Sequence, residues 1–316
     1  MSISDQYWHQ LLQLKSQCDS QQQLASIIGF SEHEFVFFDD VKVEGSDFFD
    51  VIISVYPLNL ETRQEVTIFS EKLYLYFATE LDHQTRTHLQ LYLPLATASM
   101  HHKNQSFIIA HMAQSLDGKV CTNSGSSKWI GNKENLIHAH RIRALVDGVI
   151  VGGNTARAEK PSLNVRHVEG PNPARILLCN SSRSLEGLPY IEGMRNFLLC
   201  QKDRLQELDQ QALQSVKMKI LGYCDKDDDK GVKAALTCLR KENIHSLLVE
   251  GGPTTIEAFL QNNALSWLQL HTAPIVFGSG HSFVSLPEIG KVDDAIKLQN
   301  VLYTQMGDAM VVTGQL

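Results

Sequence analysis

Short apolar runs alternate with amphipathic stretches over the last two thirds of the chain. Strands are predicted at residues 107–113, 147–152, 175–180, 196–201, 219–224, 245–250 and 267–277, with a final pair near 295–305 and 309–314 around Gly307. Helices are predicted between them, at residues 133–145, 203–216, 231–242 and 254–262. Short apolar strands that alternate with helices form a sheet covered on both faces. The pattern therefore predicts an α/β fold with a mixed, mainly parallel sheet and flanking helices.

The first hundred residues have a different pattern. A helix is expected from about residue 5 to 24, and aromatic and β-branched runs predict strands at 35–38, 48–56, 68–78 and 88–96. Only Gly29 and Gly45 of the 20 glycines occur in this part. We therefore expect two domains: residues 1–100, a smaller α+β domain of unknown role, and residues 101–316, the larger α/β domain.

Composition excludes several classes of protein. The 316 residues are 43% hydrophobic and 20% charged, which is ordinary for a globular protein, and no apolar run approaches the roughly 20 residues of a membrane span. The first residues lack the pattern of a signal peptide, and the six cysteines are scattered without a CxxC pair. We expect a cytoplasmic protein with reduced cysteines and no membrane partner.

Charge is unevenly distributed. Residues 1–100 carry 5 Lys and Arg against 14 Asp and Glu, whereas the remainder is close to neutral. Because a broad basic surface is missing, nucleic acid is not expected as a partner. An anionic ligand would have to be held by local arginines and strand-to-helix turns.

Two glycine-rich turns follow predicted strands. Gly152-Gly153-Asn154-Thr155 comes after VDGVIV, and Glu250-Gly251-Gly252-Pro253-Thr254-Thr255 comes after HSLLV. Glycines let a ligand approach the backbone closely, and the ends of parallel strands are where α/β sheets bind ligands. Each turn alone is weak support for a site, because such turns also occur as plain connections. Neither is a GxGxxG motif or a P-loop.

Charged residues near these turns are candidates for ligand contacts. Arg143 and Arg166 could form a phosphate clamp, or they could be ordinary surface or helix-capping charges, and the residues alone leave both readings open. Glu250 ends an apolar strand, where an unpaired carboxylate is costly to bury, so a ligand-binding role is favoured. No metal site is predicted: Asp225, Asp227 and Asp229 lack the Gly and Glu of a calcium loop.

The segment from Phe107 to about Gly280 resembles the reductase domain of the riboflavin-biosynthesis deaminase/reductase family. The resemblance is carried by SLDGK at 115–119, SKWI at 127–130, HRIRALVDGVIVGGNT at 140–155, PSLNVR at 161–166, LLVEGGPT at 247–254 and APIVFG at 273–278. It implies a dihydrofolate-reductase-like fold, a homodimer, and NADPH-dependent reduction of the ribose of a ribosylaminopyrimidine 5′-phosphate to a ribitylamino group.

The resemblance also implies roles for individual residues. Substrate contacts are implied for Ser127, Arg143, Leu163, Arg166 and Glu250, together with His111 beside the pyrimidine. Cofactor contacts are implied for Ala113, Trp129, Thr155, Glu159, Asn180, Gly252, Pro253, Thr254 and Thr255. No catalytic residue is assigned, because hydride transfer is the chemistry of the cofactor.

The chain departs from the family pattern at three places. Residues 1–100 lack the HxE and PCxxC of the zinc deaminase domain, so deamination is not expected. His111 stands where bacterial members usually have Lys and archaeal or fungal members Asn. The acidic pair before the proline is Glu159-Lys160, with its second charge reversed. Two alternatives therefore stay open: a reductase of the same fold with another phosphorylated heterocyclic substrate, and a non-catalytic nucleotide-binding protein.

Overall fold

The chain consists of two compact units. The computed structural model describes residues 5–20, 27–38, 49–54, 58, 63–69, 73–101, 105–127, 130–179, 190–207, 217–225 and 231–316. Contacts between Cα atoms group the chain into two units that divide between Gln105 and Ser106. Within the described ranges, no helix combines the length and the hydropathy that crossing a membrane requires.

The first unit is a small α+β domain. Its described helices are α1 (Asp5–Ser20), α2 (His83–Ala96) and α3 (Ala98–His101), and its described strands are β1 (Ile27–Phe30), β2 (Phe35–Phe38), β3 (Val51–Ser54), β4 (Arg63–Phe69) and β5 (Leu73–Ala78). The strands form one antiparallel sheet in the order β2-β1-β3-β5-β4. Trp8 of α1 packs edge to face against Tyr92 of α2, with 5.9 Å between ring centroids. The prediction of a smaller N-terminal α+β domain is confirmed.

Two predicted elements are corrected. Residues 88–96 form part of α2 and not a strand, because Asp82 caps that helix by accepting a hydrogen bond from the Thr85 amide at 2.9 Å. Their apparent alternation is uninformative, since nearly every side chain there is buried whichever way it points. The strand predicted to reach residue 277 ends at Thr272, just before Pro274, which has no amide hydrogen to donate. The helix predicted for 203–216 is present at Lys202–Glu207, and its remaining residues lie outside the described part of the chain.

The second unit contains a larger sheet. Its strands are β6 (Phe107–Gln114), β7 (Lys119–Cys121), β8 (Gly148–Gly152), β9 (Ala174–Leu178), β10 (Asn196–Gln201), β11 (Lys219–Tyr223), β12 (Ser246–Gly251), β13 (Trp267–Thr272), β14 (His281–Ser282), β15 (Gln299–Met306) and β16 (Ala309–Gln315). Its described helices are α4 (Lys133–Leu145), α5 (Gly153–Glu159), α6 (Lys202–Glu207), α7 (Val232–Arg240) and α8 (Pro253–Gln261).

Nine of these strands form one mixed sheet in the order β11-β10-β9-β8-β12-β6-β13-β16-β15. Neighbouring strands from β11 through β13 are all parallel. Strands β15 and β16 are adjacent and are joined only by Gly307 and Asp308, a two-residue connection that makes them an antiparallel hairpin. The predicted mixed, mainly parallel sheet with flanking helices is confirmed.

Burial explains why these strands read as continuous apolar runs. Ile150, Ile176 and Val249 come from three adjacent strands and are almost inaccessible to solvent, as is Phe259 of α8, which belongs to the same core. Helices on the faces of a parallel sheet remove both faces from water. Because β8 and β12 are parallel neighbours, their carboxyl ends lie at the same edge of the sheet, where α5 and α8 begin.

Candidate functional site

The two glycine-rich turns lie against each other at this edge. A Cβ atom placed on Gly252 would lie 2.8 Å from the Thr155 Oγ1, and one placed on Gly152 would lie 2.5 Å from the Thr255 Oγ1. Gly252 also has a φ of 60°, in the region that favours glycine. Each turn therefore uses a glycine to make room for the threonine of the other.

Two adjoining cavities open beside these turns, and both are lined by Asn154, Thr155 and Gly252. The first cavity has a volume of about 260 Å³ and also includes Thr254 and Thr255 among its walls. The second has a volume of about 330 Å³. The second cavity brings together seven of the residues predicted from sequence: Ala113, Ser127, Thr155, Glu159, Glu250, Gly252 and Pro253.

Four described residues of the predicted site are absent from both linings. His111, Arg143, Leu163 and Arg166 are described but line neither cavity, whereas Trp129 and Asn180 lie outside the described residues. Contact of any of these residues with a ligand remains a prediction.

Arg143 of α4 and Glu250 of β12 form a bidentate ion pair. The Arg143 Nε donates to the Glu250 Oε1 at 2.6 Å, and its Nη2 donates to the Oε2 at 2.6 Å. Only 11% and 12% of the two side chains are exposed. Burial opposes the charge of Arg143, but the Glu250 carboxylate outweighs it and raises the pKa of the guanidinium. The positive charge of Arg143 is thus already matched by a carboxylate that lines the second cavity.

The loop after α5 carries Arg166 and is tied to Arg143. Arg143 donates through its Nη1 to the Asn164 carbonyl at 3.2 Å, and the Arg166 Nη1 donates to the Asn164 Oδ1 at 2.8 Å and to the Ser162 Oγ at 2.9 Å. Arg166 is exposed, and these side-chain partners are neutral. The two arginines therefore converge on Asn164, but they differ in charge balance.

This loop has an unusual backbone and a buried support. Leu163 is buried and has a φ of 57°, which is rare for a leucine. Arg175 of β9 is fully buried, and its Nε and Nη2 both donate to the Pro161 carbonyl at 3.3 Å. No pattern in the sequence marks Arg175, which lies at the start of the apolar strand predicted at 175–180.

His111 lies in a buried group of polar side chains. Its Nε2 is 2.9 Å from the Asn135 Oδ1, and its ring centroid is 5.4 Å from that of His138. Burial lowers the pKa of His111, and it lowers the pKa of His271 to about 4. His111 is 6% exposed, so a contact with a pyrimidine ring remains a prediction. Among the described residues, no three His, Cys, Asp or Glu side chains are grouped as metal ligands would be.

Asp117 fixes one wall of the second cavity. Its carboxylate accepts hydrogen bonds from the Ser115 hydroxyl at 2.6 Å, the Phe277 amide at 3.0 Å and the Gly278 amide at 2.8 Å. The bond from Ser115 and those two amides hold the pKa of Asp117 down, at about 2. The turn that Asp117 holds leads directly into β7, whose Val120 and Cys121 line the cavity. The SLDGK motif could have drawn attention to this residue, but its distant partners could not be read from sequence.

A parallel sheet with two glycine turns at the carboxyl ends of neighbouring strands is an arrangement typical of α/β proteins that bind nucleotides. The sequence model of the RibD C-terminal domain matches residues 106–312, and the chain therefore belongs to that family. The resemblance that the motifs indicated is confirmed.

Individual relatives agree with this membership. The riboflavin biosynthesis protein RibD of Aquifex aeolicus (strain VF5) is 30% identical over 219 residues, which are 66% of this chain and 58% of the relative. The 2,5-diamino-6-ribosylamino-4(3H)-pyrimidinone 5′-phosphate reductase of the same organism is 27% identical over 222 residues, 66% of this chain and 93% of the relative. This chain thus spans little more than half of the first relative but nearly all of the second.

A solved structure supports the fold. The diaminohydroxyphosphoribosylaminopyrimidine deaminase/5-amino-6-(5-phosphoribosylamino)uracil reductase of Thermotoga maritima is 23% identical, with a TM-score of 0.56 over 73% of this chain and 61% of that chain. At this identity the likeness concerns the fold alone. The fold of the second unit therefore agrees with that of a protein named as a deaminase/reductase of the kind that the motifs indicated.

The ion pair between Arg143 and Glu250 generates a stability prediction. Arg143→Met and Glu250→Met should each lower the free energy of unfolding by about 3–5 kcal/mol, because each leaves an uncompensated buried charge. The double variant should recover most of that loss, since it leaves no charge unpaired. Urea denaturation of the four proteins would measure the coupling.

A matched control is available on the surface. Lys219 and Glu242 are also 2.6 Å apart, but 60% of the Lys219 side chain is exposed. Lys219→Met should therefore change stability by less than about 1 kcal/mol. If Arg143→Met cost no more than this control, the pair could not be regarded as a fixed part of the site.

Proposed function

We propose that this protein catalyses the NADPH-dependent reduction of the ribose of a ribosylaminopyrimidine 5′-phosphate to a ribitylamino group, a step of riboflavin biosynthesis. The observation that carries the proposal is the cleft at the ends of β8 and β12, which gathers seven residues implied by the family resemblance. Membership of the RibD C-terminal domain family and relatives named as reductases support the same reaction.

The cleft fits a nicotinamide dinucleotide. Reduction of a sugar requires a hydride donor, which is the chemistry that such a cofactor supplies when bound. Gly152 and Gly252 let the two turns pack closely, which places Thr155 and Thr255 side by side in the wall of the cleft. In this proposal Thr155, Gly252, Pro253, Thr254 and Thr255 hold the dinucleotide, and Ala113 and Glu159 lie where the second cavity adjoins it.

Substrate would occupy the second cavity, beside the paired Glu250. The Glu250 carboxylate is positioned by Arg143, so it can accept hydrogen bonds from sugar hydroxyls or ring amino groups without moving. Ser127 donates to the Glu159 Oε1 at 3.2 Å and defines the outer wall of the same cavity. Holding two ligands in a fixed geometry, away from water, is the main contribution of the protein to a hydride transfer.

Arg166 is the arginine best suited to the 5′-phosphate. The charge of Arg143 is compensated by Glu250, whereas the described side-chain partners of Arg166 are the neutral Ser162 and Asn164. A phosphate prefers the planar, always charged guanidinium, which can offer two parallel donors. We therefore propose, in place of a phosphate clamp made by Arg143 and Arg166 together, that Arg166 supplies the charge and Arg143 holds Glu250 and Asn164.

A turnover experiment tests the proposed reaction. The full-length protein should oxidise NADPH in the presence of 5-amino-6-(5-phosphoribosylamino)uracil or its 2,5-diaminopyrimidinone counterpart, and the product should gain two hydrogens by mass spectrometry. We expect NADPH to be preferred over NADH. Binding of NADPH without turnover of either pyrimidine would favour another phosphorylated heterocycle, and binding of neither nicotinamide would refute the reductase function.

Substitution of Arg166 tests the phosphate assignment. Arg166→Ala should raise KM for the pyrimidine substrate by about one to two decades, because a charge-assisted hydrogen bond contributes roughly 1.5–3 kcal/mol. The Kd of NADPH should stay nearly constant. Lys233→Ala is a suitable control, since Lys233 is an exposed cation on α7, which packs on β10 and β11. An unchanged KM in Arg166→Ala would mean that the phosphate is held elsewhere.

We further propose that residues 1–100 are not part of the active site. The described residues that line the two cavities all come from the second unit. A protein that begins at Ser106 should retain the NADPH affinity of the full chain, provided that its circular dichroism spectrum shows a folded state. Complete loss of affinity in a folded protein of this length would contradict the idea.

A further inference from the structure

Arg157 presents an unsatisfied donor at the first cavity. It lies on α5 and lines that cavity, and its Nη2 donates to the Asn154 Oδ1 at 2.7 Å. Its Nη1 is shielded from solvent and has no hydrogen-bond partner among the described residues. A Cβ atom on Gly153 would lie 3.4 Å from this Nη1, so the guanidinium rests against the first glycine turn.

Leaving a cationic donor unpaired and out of water is unfavourable. An acceptor brought by a ligand would remove that cost, and the surroundings of Arg157 define what kind of acceptor fits. The other described residues of the first cavity include no acidic side chain, and its polar groups are the amide of Asn154 and the hydroxyls of Thr155, Thr254 and Thr255. One cation among neutral hydrogen-bonding groups and glycine backbone is suited to a phosphate.

The second cavity has the opposite character. Glu159 and Glu250 line it, and its described lining includes no Lys or Arg. The two cavities meet at Asn154, Thr155 and Gly252. A ligand that extends through both therefore encounters a cationic end and an acidic end. The anionic part of a dinucleotide would be favoured in the first cavity, and its uncharged or cationic ring would be favoured in the second.

We infer that Arg157 binds a phosphate group of the dinucleotide cofactor and thereby fixes the direction in which the cofactor lies in the cleft. This inference rests on the proposed function. The phosphate is either the diphosphate, which NADPH and NADH share, or the 2′-phosphate, which only NADPH carries. Either phosphate offers acceptor oxygens to the unpartnered Nη1 donor of Arg157, and the experiment below distinguishes the two phosphates.

The experiment titrates full-length wild-type protein, Arg157→Gln and Arg157→Lys with NADPH and with NADH by isothermal titration calorimetry. Arg157→Gln should raise the Kd about 10- to 100-fold, the range expected for loss of a charge-assisted contact, and Arg157→Lys should recover part of it. An equal rise for both cofactors assigns the diphosphate, whereas a rise confined to NADPH assigns the 2′-phosphate. Lys233→Gln serves as the control for loss of a surface charge.

Two results would overturn the inference. Arg157→Gln that is folded by circular dichroism and binds both cofactors with wild-type Kd values would refute the role of Arg157 and leave the proposed function intact. Wild-type protein that binds neither cofactor would refute the proposed function and this assignment together. Should Arg157→Gln prove unfolded, the Kd of Arg157→Lys decides, because a lysine cannot reproduce the planar donor geometry and wild-type affinity would then count against the assignment.

Discussion

The close approach of two strand-to-helix turns is the constraint on which the second unit depends. Strands β8 and β12 can bring their turns together only because they are parallel neighbours in the sheet. At the junction, the threonine of each turn occupies the space that a side chain on the glycine of the other turn would need. The same contact shapes both cavities, since Thr155 and Gly252 belong to each lining.

Near this junction, the loop after α5 lies outside the sheet and is held by polar contacts. Arg143 connects α4 to Glu250 and to the Asn164 carbonyl, while Arg175 holds the Pro161 carbonyl from within the sheet. Two buried guanidinium groups thus secure the loop in which Leu163 adopts a left-handed backbone conformation. Buried arginines are costly unless they are well paired. Arg143 is paired with Glu250, and Arg175 donates to the Pro161 carbonyl, so both guanidinium groups have acceptors.

Much of this architecture could be predicted from sequence, and the exceptions have physical causes. The α4 helix was predicted with its observed bounds, and Asn132 caps its first turn by accepting a hydrogen bond from the Asn135 amide. The apolar strands of the parallel sheet were also predicted, since both of their faces are buried. Residues 88–96 were predicted as a strand although they belong to α2. Because this part of the helix is buried on all sides, its apolar residues do not show the helical period.

Some features of the site could likewise be predicted from sequence, and others could not. Glycines at strand ends could be identified, because their role is local. The distant partners of Asp117 and Arg175 could not, because they are backbone groups that the fold brings to these side chains and that leave no trace in the sequence pattern. Sequence likewise could not reveal that Arg143 and Arg166, two residues of the same type, differ in whether a carboxylate already neutralises them.

Strand order also has a consequence for how the chain assembles. The first strand of the large sheet, β6, has β12 and β13 as its neighbours, and both come from the last quarter of the chain. During synthesis, β6 therefore has no hydrogen-bonding partner strand until residues 246–272 have left the ribosome. Contacts so distant in sequence are slow to form, because a long loop must close first. The cleft between the glycine turns is consequently a late product of folding, completed only after residues 246–272 have been synthesised.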